Sequence, residues 1–410
     1  MSSSEWKRYK FSDILQIPLK NGVNKPTKVR GAGYKMINMG ELFANPIIRD
    51  IETDRVPMSK GESENSLLQV GDLLFARQSL TVEGAGKCSL FLGNDEPYTF
   101  EGHLIRARVN QEIASPQYVY YYFTSRTGKS KIETLVHVTA AAGIRSSDLS
   151  NLEIDIPPLP TQRRIADILS ALDEKIELNR QTNASLEAIA QAIFKEWFVD
   201  FNFPGATGEL VESELGPIPS GWRIGKIADL CDVNKNVITK KDKFEWVDYI
   251  EISEVSRGRV GNIARYNYED APSRARRKLQ HGDIVLSTVR PNRGSFFLAL
   301  DPPQNLIVST GFAVFSPDKA PFSFLYLFLT DDEKLEFYGH VADGGAYPAI
   351  NPNLIMEMDL VIPDDSLLDQ FHSITEPILL SIAQNEQEAK SLAEIRDALL
   401  PKLMNGEIEA

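Results

Sequence analysis

Only two cysteines occur in 410 residues, Cys88 and Cys231, isolated and far apart. That excludes a disulfide framework and fits a reducing, cytoplasmic setting. No run of about 18 apolar residues is present, and the opening MSSSEWKRYKF has no apolar signal core, so neither secretion nor a membrane span is expected. The five histidines, His103, His137, His281, His340 and His372, lack ligand spacing, so no metal site is expected. Gly84-Ala85-Gly86-Lys87 and Gly128-Lys129-Ser130 look like phosphate loops, but Thr81 and Phe123 stand where such a loop needs its first glycine. Asp301-Pro302-Pro303-Gln304 lacks the aromatic of an amino-methyltransferase turn, and Pro317-Asp318 and Pro363-Asp364 lack the rest of a nuclease metal site. With no nucleophile, base and oxyanion donor in sight, no catalytic residue is expected.

Positive charge is also scarce, with a net charge of −13. Its distribution matters more than its sum. Residues 1–156 hold 19 basic and 18 acidic side chains, and residues 222–362 hold 17 and 19. The excess acid sits elsewhere, above all in 363–410, with 3 basic against 10 acidic. Two nearly neutral stretches leave room for a basic face on each, and the acidic remainder reads as a solvated face or a protein-binding one.

Gly and Pro are absent from the 38 residues Thr161–Phe198, which are rich in good helix formers. Pro157, Pro158 and Pro160 precede the stretch, with Thr161 as its expected N-cap. Ile165, Leu169, Leu172, Ile176, Leu186, Ile193 and Trp197 fall at heptad-compatible steps, with Asn179 and Asn183 in the same phase. This is the pattern of a long coiled-coil helix whose register a buried amide fixes. Leu367–Met404 aligns with it at an offset of 206, placing Phe371, Ile378, Ile382, Asn385, Leu392, Leu399 and Leu403 on the matching stripe. Glu376-Pro377 predicts a kink or a late start in this second helix. Two stripes lacking partners are expected to pack on each other.

The repeat continues outside the helices. Trp6-Lys7 then FSDILQI matches Trp222-Arg223 then IADLCDV; LLQVGDLLFAR matches KLQHGDIVLSTVR; AAAGIRSSDLSNLEIDIP matches GGAYPAINPNLIMEMDLVIP. The offset slides from 216 to 211 to 206, so the copies differ by loop insertions. The expected division is 1–156, a long helix in 157–200, a linker in 201–221 rich in Pro, Gly and acid, 222–362, and a second long helix in 363–410. Short apolar runs predict strands at Tyr34–Ile37, Leu73–Phe75, Leu104–Val109 and Leu152–Ile156, then Ile284–Leu286, Ile307–Phe315 and Met358–Ile362. Tyr118–Thr124 and Phe324–Thr330 read as short helices. The fold class is α+β: two mixed α/β domains separated by an antiparallel coiled coil, with an internal pseudo-two-fold repeat.

Recognition chemistry recurs at matching places. Arg77-Gln78 and then Lys87 follow the Gly71-Asp72 strand; Arg290-Pro291-Asn292-Arg293 follows Gly282-Asp283. Arg grips guanine bidentately, and Gln or Asn does the same for adenine. Small-residue loops follow, Thr139–Arg145 with Arg145 at its end and Asp343–Tyr347 in the second copy. Arg274, Arg276 and Arg277 form the densest basic cluster, with Lys240, Lys241 and Lys243 a second. Such clusters hold a duplex through its phosphates. The Gly-Asp pair itself reads as a structural turn. A non-catalytic coiled-coil scaffold joining two protein-binding domains is the alternative reading.

IPPLPTQRRIADILSALDEKIELNRQ, IFKEWFVDF leading into ESELGPIPSGW, the paired Gly-Asp strands and the terminal LLPKLMNGEI closely resemble the specificity subunit of type I restriction–modification systems, over nearly the whole chain. The resemblance implies two target-recognition domains reading the halves of a split, asymmetric double-stranded DNA site, with the helices setting an unread gap. It implies two methyltransferase subunits and ATP-dependent restriction (translocase/endonuclease) subunits as partners. S-adenosylmethionine and ATP would bind those partners, and no cofactor would bind this chain.

Overall fold

A computed structural model describes all residues except 1–5, 94, 95, 139, 140, 240, 344, 346 and 410. It divides into two compact units, Met1–Glu177 with Lys390–Ala410 (unit 1) and Leu178–Ala389 (unit 2).

In unit 1 a five-stranded sheet runs in the order Leu15–Asn21, Leu104–Val109, Asp72–Ala76, Cys88–Phe91, Ile47–Ile48. Asp72–Ala76 is the middle strand and is buried throughout, hence its continuous apolar run rather than an alternating one. Phe75 meets Phe11 and Phe123 edge to face, with ring centroids 5.9 and 5.1 Å away. Phe123 comes from the helix Pro116–Thr124, begun by Pro116 and by Ser115, whose hydroxyl accepts the Tyr118 N–H. Lys7–Lys10 pairs antiparallel with Glu153–Ile156, tying the start of the unit to the strand before the long helix.

Unit 2 repeats the plan. Its central sheet runs Cys231–Val233, Phe312–Pro317, Asp283–Ser287, Phe296–Ala299. Arg223–Lys226 pairs with Asp359–Ile362, and Phe322–Leu329 supplies the short apolar helix. The predicted strand Ile307–Phe315 is two strands: Leu306–Ser309 belongs to a second four-stranded sheet, Phe312–Pro317 to the central one. The chain changes sheets at Thr310-Gly311, a break that the flanking apolar residues conceal.

The two long helices are α1 (Leu159–Phe198) and α2 (Asp365–Met404). Helix α1 begins two residues before the expected cap at Thr161. Its first turn is held instead by Gln162, whose side-chain oxygen accepts the Ser115 N–H at 2.9 Å while its amide donates to Pro157 O at 2.8 Å. The expected late start at Pro377 does not occur, because α2 is helical from Asp365 onward. Asp364 caps it by accepting the Leu367 N–H at 3.0 Å, and buried Leu367, Leu368 and Phe371 hold the turns ahead of the proline.

Within unit 1, Ile165 and Leu169 of α1 share a core with Leu399 and Leu403 of α2, and Arg396 Nη1 donates to Asp173 at 2.6 Å. Within unit 2, Trp197 lies 5.7 Å from Phe371, and Ile193 and Ile378 pack on the same core. In both the pairing is antiparallel. Asn179 and Asn183 are 3% and 1% exposed. Asn183 donates to Ile382 O and Glu386, Asn179 to Asn385 O and Glu388, and Asn385 donates to the Asn183 side-chain oxygen at 2.8 Å. Every amide thus has a partner on the opposite helix, which pins register as a buried coiled-coil asparagine does. Leu172, Ile176, Leu186, Ile382 and Leu392 are half-buried along the same seam. The stripe also includes Ala190, Phe194 and Leu379, all buried.

Candidate nucleic-acid interface

The Gly-Asp turns are the floor of each candidate site. Gly71 and Gly282 have φ of 92° and 82°, which favours glycine. Asp72 Oδ2 accepts the Gln69 N–H, and Asp283 Oδ2 accepts the Gln280 N–H, each at 2.8 Å. Asp72 is also gripped by Arg108 through two 2.7 Å bonds, whereas Asp283 accepts the Ser316 hydroxyl at 2.6 Å. Burial pushes the Asp283 carboxyl above its usual range, against the lowering effect of Ser316 and the Gln280 N–H. Both aspartates are buried and aim inward, so neither is a contact for a ligand.

Each Gly-Asp strand leads into the same hydrogen-bonded edge. In unit 1, Arg77 N–H donates to His103 O and Arg77 O accepts the Ile144 N–H. Gln78 pairs with Gly143, which pairs in turn with His137. In unit 2, Thr288 N–H donates to Gly311 O and Thr288 O accepts the Ile350 N–H. Val289 bridges to Ala349, and Ala349 to Asp343. The backbone counterpart of Arg77 is therefore Thr288, and Arg290 lies two residues farther out, opposite Ser79. The offset of 211 that sets Gly71 over Gly282 likewise sets Arg77 over Thr288, and the backbone hydrogen bonds agree.

Arg77, Gln78 and Arg145 come together on the small sheet Gln78–Ser79, Ala142–Gly143, His137–Val138. A side chain at Gly143 would press within 2.9 Å of Arg77 O, so the close approach of these strands requires glycine there. Leu80 is 99% exposed and Val138 68% beside them. Lys87 is not part of the group: its ammonium donates to Phe43 O at 2.9 Å and sits over the Phe43 ring, bracing the fold. Of the small-residue loop, Thr139 and Ala140 lie outside the described residues.

In unit 2 Arg290 has φ 47° and ψ 56°, a left-handed conformation uncommon for arginine. Its N–H donates to Pro348 O, and its guanidinium carbon lies 4.9 Å from the centre of the Tyr347 ring. Asn292 and Arg293 follow, both exposed. Arg257, itself at φ 39°, buttresses the turn through its N–H to Gly294 O and an ion pair to Asp332 at 2.7 Å. Strained residues persist where surroundings over-determine them, and they collect at functional sites. Arg274 is tied to this edge because its carbonyl accepts the Thr310 N–H. Arg276 is exposed on the strand Ala275–Lys278, while Arg277 turns inward, donating to Phe312 O at 2.9 Å, with burial lowering its pKa. Of the second basic cluster, Lys240 lies outside the described residues, and Asp242 between its neighbours pairs with Lys278 at 2.9 Å.

Tyr347 was missed in the sequence, since a lone aromatic among Gly, Ala and Pro carries no period. Among the described residues no cluster of histidine, cysteine or acid could hold a metal, and no helix is long and apolar enough to cross a membrane.

Two copies of one scaffold, carrying unlike polar loops on equivalent edges and joined through paired helices, define a two-module recognition protein. The chain belongs to the type I restriction–modification DNA specificity family, whose domain matches residues 3–188 and 219–367. Its place is that of the non-catalytic specificity component. The HindI type I restriction enzyme specificity subunit of Haemophilus influenzae is 24% identical over 470 aligned residues, covering 99% of this chain and 100% of that one. The MjaIX specificity subunit of Methanocaldococcus jannaschii is 26% identical over 298 residues, covering 71% and 69%. The crystal structure of a type I restriction–modification S subunit from M. genitalium shares the fold, with a TM-score of 0.61, 16% identity and coverage of 97% and 96%.

Proposed function

We propose that each unit reads one half of a split, asymmetric DNA site and that the paired helices set the unread gap between the halves. What carries this reading is the matched backbone edge, which presents Arg77, Gln78 and Arg145 in unit 1 and Arg290, Asn292 and Arg293 in unit 2. Identical frames with different side chains select different bases, while Arg274 and Arg276 hold phosphates. The chain binds no cofactor; methyltransferase and restriction subunits that carry S-adenosylmethionine and ATP act where it directs them. Solvated acidic stretches of α1 and α2 are surfaces for those subunits.

Mapping methylated adenines in a host that expresses the chain with its methyltransferase subunit tests this reading. A single two-part motif is the expected result; no mark, or an uninterrupted motif, would refute it. Lengthening both helices by seven residues, after Gln181 and after Gln387, adds about 10 Å, or about three base pairs, to the gap without altering either half. A gap that stays constant would remove the helices as spacer. Duplex binding must also weaken steeply with salt; salt-insensitive partner binding with no DNA retention would favour a protein scaffold.

A further inference from the structure

Position 290 and position 347 face one another across the loop edge of unit 2, and the equivalent positions in unit 1 hold Ser79 and Ala141. The backbone frame is the same in both units, so the arginine and the aromatic are present together in one copy and absent together from the other. Resting on the DNA-reading function proposed above, we infer that Tyr347 is a positioning residue for base recognition: its ring holds the Arg290 guanidinium in the pose that reads a guanine in the half-site of unit 2.

Three observations support this. Tyr347 is 72% exposed, so core packing does not account for its place. The guanidinium carbon of Arg290 is 4.9 Å from the ring centre, the distance of a cation–π contact. The backbone fixes both ends of the contact, through Arg290 N–H to Pro348 O at 2.9 Å and the left-handed turn at Arg290 itself. Arginine grips guanine O6 and N7 through two N–H groups of one plane, so a ring that restrains the guanidinium restrains the direction of that grip. A flexible arginine samples many rotamers; one clamped on a ring loses less freedom on binding, and discrimination rises accordingly.

The test uses the full chain co-expressed with its methyltransferase subunit, with the methylated motif read by sequencing. Tyr347→Ala is expected to relax base choice at one position of one half, by about tenfold, and at the same position as Arg290→Ala. Tyr347→Phe, which keeps the ring, stays within about twofold of the unaltered chain. The double variant should match Arg290→Ala alone, since the tyrosine acts through the arginine. Truncating so exposed a side chain opens no cavity, and an unchanged second half-site confirms that the chain is folded. An unchanged motif in Tyr347→Ala, relaxation at a different position, or additive losses in the double variant would overturn the inference. An unaltered chain that yields no two-part motif would instead overturn the DNA-reading proposal beneath it.

Discussion

The strand carrying Asp72 in unit 1 and the one carrying Asp283 in unit 2 start from the same glycine turn and end on the same hydrogen-bonded edge. Beneath that edge they differ. Asp72 is neutralised by a bidentate arginine, Arg108, only 15% exposed, whereas Asp283 relies on a serine hydroxyl and its own turn. Above the edge they differ again, with Arg77, Gln78 and the bare apolar Leu80 on one side and Arg290, Tyr347, Asn292 and Arg293 on the other. The backbone frame tolerates changes of charge on both faces, because its hydrogen bonds are main-chain bonds and do not consult the side chains. Such a frame can duplicate once and diverge in what it reads.

The largest effect expected from breaking the comparison is on stability. Asp72→Asn leaves the mostly buried Arg108 guanidinium without its counter-charge and should cost unit 1 about 3 kcal/mol. Asp283→Asn keeps an acceptor for Gln280 N–H and a donor for Ser316, in a place where burial already disfavours the charge. Its cost should stay below about 1 kcal/mol. Denaturant unfolding followed by probes in each unit measures both, and equal costs would mean the two floors are equivalent after all.

Next comes reading. Arg290→Ala should relax one position of one half-site by about 1–3 kcal/mol and leave the other half untouched. Arg77→Ala should do the reverse. Competition binding against single-base variants of the mapped site resolves the two. The comparison sharpens with Ser79→Arg and Ala141→Tyr made together, which install the unit 2 pair on the unit 1 frame. A new preference for guanine at one position of the unit 1 half is the expected outcome of motif mapping.

The smallest effects concern pH. Glu62 in unit 1 is lowered to about 2 by the Ser59 N–H, Lys25 and the Ser59 hydroxyl; Asp242 in unit 2 is lowered to about 2 by Lys278 and the Thr239 N–H and hydroxyl. Their folded values lie below the unfolded ones, so what they contribute is complete above about pH 4 and is lost as pH falls toward about 2. Asp283 has the opposite sign: its raised value means that the fold favours the protonated form, and its contribution declines as pH rises through its titration. Carboxyl NMR titration should show Asp283 moving first on acidification, with Glu62 and Asp242 unmoved until well below pH 4.

Much of this was legible in the residues, and for identifiable reasons. A heptad stripe survives divergence because each position must bury, so Ile165, Leu169, Phe371 and Leu403 announced the long helices. The mid-seam Asn179, Asn183 and Asn385 announced themselves because polar groups on an apolar stripe need a reason. Pro377 misled as to where the helix starts because local preference was weighed without the packing of Leu368 and Phe371, which holds the turns ahead of it. Ile307–Phe315 misled because a change of sheet leaves the apolar pattern intact. The interface was legible as a place and not as a geometry. Residue type could nominate Lys87 and Arg277, yet only main-chain contacts show them turned to Phe43 O and Phe312 O. The same limit hid the contact between Tyr347 and Arg290.

The most direct test of the central claim, two unlike readers on one duplicated frame, is the methylated motif of three chains compared side by side: unaltered, Arg77→Ala and Arg290→Ala. Two separated halves, each relaxed by one substitution and indifferent to the other, is the result expected. If either substitution altered both halves, or both altered the same one, the units would not be independent readers, and this account would be wrong.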